Sequence, residues 1–117
     1  MKYVDGYLVP VSNNNKEAYF EMAKLAAAIF KENGAIGIAE CWGDDVPDGK
    51  VTSFPMSVNL NSDETVVFSW IIWPSKEVRD IGMQKAMEDE RFKPYENNMP
   101  FDGKRMVFGG FQMVVEA

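Results

Sequence analysis

Glu40 is the residue whose placement most requires a chemical explanation. It lies in AIGIAECW (35–42), an alternating apolar run in which it shares one strand face with Ile36, Ile38 and Trp42. An ionised carboxylate on such a face is costly unless something pairs with it. Arg79 is the partner the pattern offers: on a helical wheel it falls between Ala86 and Met83, on the side that also carries Val78 and Gly82. A Glu40–Arg79 contact would satisfy both charges. Two readings follow. In one, the pair stands at the mouth of an apolar cleft walled by Trp42 and Trp70, where it orients a small ligand or tunes a proton transfer. In the other it is a structural ion pair, or two side chains that reach solvent separately, and the tryptophans belong to the core or to a dimer interface. The sequence assigns no catalytic residue; Glu40, Trp42, Trp70 and Arg79 are the ligand-binding candidates.

The second chemically suggestive stretch is GDDVPDGK (43–50), with three carboxylates in eight residues. An EF-hand loop starting at Asp44 needs oxygen ligands at its first, third, fifth and twelfth positions. Asp44 and Asp48 fit and Gly49 falls at the sixth position, but the third is Val46 and the twelfth is Pro55. The template fails, which leaves a weak magnesium site from Asp44, Asp45 and Asp48 as the alternative to a plain turn. The turn is favoured because Asp48-Gly49-Lys50 is echoed by Asp102-Gly103-Lys104, each after a proline and each before a strand-like run. Asp-Gly is a turn pair because both residues tolerate positive φ. No metal is expected.

Absences narrow the chemistry further. The chain has no histidine, which excludes Ser-His and Cys-His catalysis and the common imidazole metal sites. Cys41 is the single cysteine and reads as a small buried apolar residue rather than a nucleophile. A net charge of −6, with twelve scattered Lys and Arg, argues against nucleic acid. Neither GxxxxGK[ST] nor GxGxxG occurs, so no nucleotide cofactor is implied, and the eight methionines suit a deformable core without identifying a cofactor. The start MKYVDGYLVPV lacks the pattern of a signal peptide. The longest apolar run, VVFSWIIW (66–73), is far short of the ~20 residues a bilayer needs. A cytoplasmic protein with no membrane partner is the expectation.

The elements that must position these residues can be read from periodicity. With 117 residues, 46% apolar and 26% charged, one domain spanning 1–117 is expected. A strand over 3–11 places Tyr3, Tyr7, Val9 and Val11 on one face. SNNN (12–15) supplies turn and capping chemistry, and a helix runs from Lys16 to about Asn33 with Ala18, Met22, Leu25, Ala26 and Ile29 inward; Gly34 stops it. Strands follow at 35–42, at 51–60 with its proline marking an edge, and at 65–73. Pro74-Ser75 caps a helix over about 76–89. Residues 92–102 read as loop or a short helical turn, and 105–117 as the closing strand. The order β-α-β-β-β-α-β is a ferredoxin-like α+β sandwich with one additional edge strand. In such a fold helices cover one sheet face. Because the 65–73 and 105–115 runs are apolar on both faces, the other face needs a cover, and a homodimer closing sheet to sheet supplies one.

KYVDGYLVPV, ECWGDDVPDGKVTSF, VVFSWIIWPSKEVRD and MPFDGKRMVFGGF together resemble the YbaA-like family of small uncharacterised bacterial proteins, over essentially the whole chain. More distantly, that family is similar to the dimeric α+β barrel superfamily, which implies a sheet-to-sheet dimer independently of the periodicity. The superfamily includes cofactor-free monooxygenases, isomerases, haem enzymes and proteins of no known activity. Its haem branch needs an axial histidine, which is missing here, and no catalytic motif carries over. The expectation is a homodimeric small-molecule-binding domain without an assignable reaction. The rival is a cofactor-independent monooxygenase- or isomerase-like enzyme acting on a small aromatic substrate, with Glu40 as base. A base needs access to a cavity, whereas a structural partner should be sealed against Arg79.

Overall fold

The computed structural model describes residues 1–117. Strand β1 (Tyr3–Ser12) leads through a 3₁₀ turn (Asn13–Asn15) into helix α1 (Lys16–Glu32), followed by β2 (Gly37–Trp42), a one-turn helix α2 (Phe54–Ser57), β3 (Glu64–Trp73), α3 (Lys76–Met87), a 3₁₀ segment (Glu90–Tyr95) and β4 (Val107–Gln112). The four strands form one antiparallel sheet in the order β2-β3-β1-β4. This is the ferredoxin-like arrangement, with both long helices against one sheet face.

One expected element is different. The 51–60 run is not an edge strand: its centre is α2, where the Ser53 side chain accepts a hydrogen bond from the Met56 amide at 3.1 Å. Pro55 occupies the first turn, where its missing N–H costs nothing. The alternation of FPMSVNL was real, but a serine followed two residues later by proline is also a helix start, and no strand edge accepts the segment. Beside it, GDDVPDGK is an irregular, bent loop without a hydrogen-bonded turn, in which Gly49 has φ +71 and a Cβ would run into the carbonyl oxygen of Thr52. Asp44, Asp45 and Asp48 are all exposed. In the echoing turn, Asp102 accepts from the Lys104 amide at 3.0 Å and the Arg105 side chain at 2.9 Å. Arg105 then forks onto both Glu64 oxygens at 2.8 and 2.6 Å, fastening the approach to β4 to the start of β3.

Local chemistry accounts for the helix ends only in part. Ser75 caps α3 by accepting from the Val78 amide at 3.2 Å, whereas SNNN makes no side-chain cap and instead forms the 3₁₀ turn. Of the expected inward stripe of α1, Ile29 is buried and Met22, Leu25 and Ala26 are half-buried, but Ala18 is exposed, and Tyr19 and Ala23, one residue on from Ala18 and Met22, are buried. Two buried clusters hold the sheet to the helices. One joins Val9, Val11 and Val67 to Tyr19 and Ala23; the other joins Tyr3, Ile71 and Trp73 to Ala35.

Neither long helix covers the opposite sheet face; only Phe54 of the one-turn α2 reaches its margin, 5.9 Å from the Phe68 ring. Register places Leu8 and Val107 beside Phe68, and Val4 and Phe111 beside Ile72, with Trp70 between. Phe68, Val107 and Phe111 are 44%, 42% and 60% exposed. Cys41 lies in this layer opposite Phe68 and is exposed, contrary to the buried position expected for it, because β2 is an edge strand. No helix is long and apolar enough to cross a membrane.

Candidate functional site

Between the sheet and its helices lies a cavity of about 420 Å³, lined by 20 residues of which 17 are hydrophobic. That volume falls in the range of small-molecule sites. Its floor is a row of three paired positions across the sheet: Tyr7 on β1, Ser69 on β3 and Glu40 on β2. Helix α1 contributes Tyr19, Ala23, Ala26, Ala27 and Phe30, and α3 contributes Met83 and Met87. The segment after α3, read from the sequence as loop or a short helical turn and containing the 3₁₀ segment Glu90–Tyr95, supplies Phe92, Tyr95, Met99 and Phe101 and so forms part of the wall. Arg91 anchors that segment to the end of α1 through Glu32, with nitrogen and oxygen 2.6 Å apart.

The polar centre of the cavity is Glu40 with Tyr19, whose hydroxyl donates to Glu40 Oε1 at 2.6 Å. Glu40 is solvent-accessible although protein surrounds it, because the cavity it faces is open to water. Burial pushes its carboxyl above the ordinary range, and the Tyr19 hydrogen bond pulls only partly back. Tyr19 is 3% exposed. Burial first, and then the charge of Glu40, push its hydroxyl well above the ordinary tyrosine value. Tyr7 moves the same way, from burial and then the Asp5 charge. Both phenols therefore stay protonated donors at neutral pH. A carboxylate that is held by one protein donor and opens onto a cavity can accept a hydrogen bond or a proton from a bound molecule.

The sequence candidates separate. Glu40 faces the cavity as its strand position required, but it does not meet Arg79. Arg79 points inward, as its wheel position implied, and reaches β1 instead: its Nε is 3.7 Å from Asp5 Oδ1 and its guanidinium lies 4.6 Å over the Tyr3 ring. Glu40 is on β2 and Asp5 on β1, with β3 between them, a separation of about 10 Å at ordinary strand spacing. Asp5 also accepts from the Trp73 indole at 2.9 Å, and burial pushes its carboxyl up while Arg79 and Trp73 pull it down. Neither tryptophan walls the cavity. Trp42 packs edge-on against Phe20 at 5.5 Å, and Trp70 is on the face away from the long helices, against Phe68 at 5.4 Å.

Asp5, Tyr7 and Tyr19 were the residues missed. Asp5 stands between Tyr3 and Tyr7 on one strand face, so the argument that singled out Glu40 applied equally to it. Tyr19, Ala23, Ala26 and Phe30 recur at 4, 3 and 4, a helical stripe as good as the aliphatic one chosen.

The family model described as Protein of unknown function (DUF1428) matches residues 2–103. The chain belongs to this family. It is 58% identical over 116 residues to the uncharacterized protein YbaA of Escherichia coli K12, covering 99% of each. Two solved structures share the fold of this DUF1428 chain at low identity. One is a dimeric ferredoxin-like protein from an uncultured marine organism, with a TM-score of 0.68 and 7% identity, covering 99% of this chain and 98% of that one. The other is a mutant of SnoaB, a cofactor-independent oxygenase from Streptomyces nogalater, with a TM-score of 0.63 and 12% identity, covering 98% and 95%.

Proposed function

We propose that the protein is a cytoplasmic homodimer in which each protomer binds a small, mainly apolar molecule between sheet and helices, with Glu40 and Tyr19 as its polar contacts. The observation that carries this reading is the cavity itself: a partly open apolar cavity of ligand size whose floor row carries Tyr7, Ser69 and Glu40, with Tyr19 hydrogen-bonded to Glu40. Support for the dimer comes from the face away from the long helices, where Phe68, Trp70, Ile72 and Phe111 form an apolar layer of the kind that isolated chains seldom leave in water. The ferredoxin-like neighbour from the marine organism is itself dimeric.

A second reading, a cofactor-independent oxygenase- or isomerase-like enzyme with Glu40 as base, is favoured by one observation. Glu40 opens onto the cavity and is not sealed against Arg79. A thermal-shift screen of small aromatic compounds tests the binding reading. Stabilisation by a subset of compounds that is lost in Glu40→Gln and Tyr19→Phe is expected; a flat response across the screen would refute it. Turnover of a bound compound by the wild type but not by Glu40→Gln would establish the enzyme.

A further inference from the structure

Resting on the cavity reading above, we infer that the molecule it takes is uncharged and carries a hydroxyl that Glu40 and Tyr7 hold together, and that the site rejects carboxylates. The only charged residues on the cavity wall are Glu40 and Glu96; no lysine or arginine lines it. A carboxylate ligand would lose its hydration in an apolar space, find no counter-charge and meet two groups of its own sign.

The hydrogen-bonding groups narrow the head group. Tyr19 donates to Glu40 Oε1, and no protein donor engages the other carboxylate oxygen. That oxygen calls for a donor on the ligand. Tyr7 and Ser69 share the sheet row with Glu40 and line the same cavity. The Tyr7 hydroxyl makes no side-chain hydrogen bond within the protein, and because Tyr7 lines the cavity it can donate to an acceptor on the ligand. A hydroxyl supplies both functions, whereas an ammonium group supplies donors only and leaves Tyr7 unanswered. The remaining wall, including Phe30, Phe92, Phe101 and Met83, suits an aromatic body.

The test uses three probes with one aromatic body, 2-naphthol, 2-naphthoate and 2-naphthylmethylammonium, titrated calorimetrically into the full-length protein at pH 7. The naphthol is expected to bind at least tenfold more tightly than naphthoate, and more tightly than the ammonium, which meets Glu40 but leaves Tyr7 without an acceptor. Glu40→Gln and Tyr7→Phe should each weaken naphthol severalfold, and Glu40→Gln should also narrow its advantage over naphthoate. Circular dichroism on each variant separates lost binding from lost folding, and Tyr7→Phe removes a single oxygen if Glu40→Gln proves unstable. Naphthoate or the ammonium binding as well as naphthol overturns the inference and leaves the cavity reading standing. Failure of all three probes overturns the inference, and a flat thermal-shift screen alongside it removes the cavity reading as well.

Discussion

Removing the Tyr19 hydroxyl takes away the only protein donor to Glu40, a 2.6 Å hydrogen bond made by a side chain that is 3% exposed. Hydrogen bonds to charged groups contribute about 1.5–3 kcal/mol. Glu40 faces a cavity that water enters, so water replaces part of what is lost and screens the charge, and Tyr19→Phe should destabilise by about 1–2 kcal/mol. Glu40→Gln removes the acceptor's charge, and the pair should show a coupling of about 1 kcal/mol in a double-mutant cycle. The assay is denaturant unfolding at fixed protein concentration, since self-association shifts apparent stability. The same cycle run on Glu40→Gln and Arg79→Met should give no coupling beyond about 0.5 kcal/mol, because the carboxylates near Arg79 are Asp80 and Asp5, not Glu40. The pH dependence has a definite sign. The Glu40 carboxyl is raised above its ordinary 4.5, so the folded state binds the proton more tightly than the unfolded chain. Wild type should therefore lose stability relative to Glu40→Gln as pH rises from below 4.5 through the raised value. Zero coupling between Tyr19 and Glu40, or a stability difference that moves the other way with pH, would refute the reasoning.

Gly82→Ala should lower stability by roughly 1–3 kcal/mol despite the better helix propensity of alanine, because the new Cβ would lie 2.6 Å from Trp73 Cζ3 and against the Asn33 carbonyl; a midpoint equal to wild type in urea contradicts this. Light scattering should give twice the chain mass of 13.2 kDa, and Phe111→Lys on the face away from the long helices should return the protein to one chain mass; a monomeric wild type at micromolar concentration removes the dimer. Calorimetry should show no stoichiometric Ca²⁺ or Mg²⁺ binding to the GDDVPDGK loop, and tight binding abolished by Asp44→Asn would reverse that reading.

Local chemistry in the sequence determined most of the elements and their faces, the 51–60 run, which forms α2 rather than a strand, being the exception. Alternation placed Glu40 with Ile38 and Trp42, and Trp70 opposite Trp73, while Gly34 ended α1 and Ser75 capped α3. Such features depend on a few neighbouring residues and a single period, so they survive without knowledge of the partner strands. The order of the elements gave the ferredoxin-like arrangement, consistent with the β2-β3-β1-β4 order, and the family resemblance added a second argument for a dimer. What the tertiary structure decided was which faces meet. Glu40 and Arg79 both point inward, but Arg79 reaches from α3 to Asp5 on β1, and β3 lies between β1 and Glu40's strand β2, so the two do not meet and Glu40 pairs with Tyr19 instead. Trp42 and Trp70 fall on opposite sides of the sheet because antiparallel pairing sets Trp42 beside Val67, one residue out of phase with Trp70. The cavity depends on the same long-range geometry: Tyr7, Glu40 and Ser69 come from three strands, and Phe92 to Phe101 return over them only after α3 has crossed the sheet. Pair formation between distant segments depends on strand order and register, and neither is written in the local pattern of any one segment.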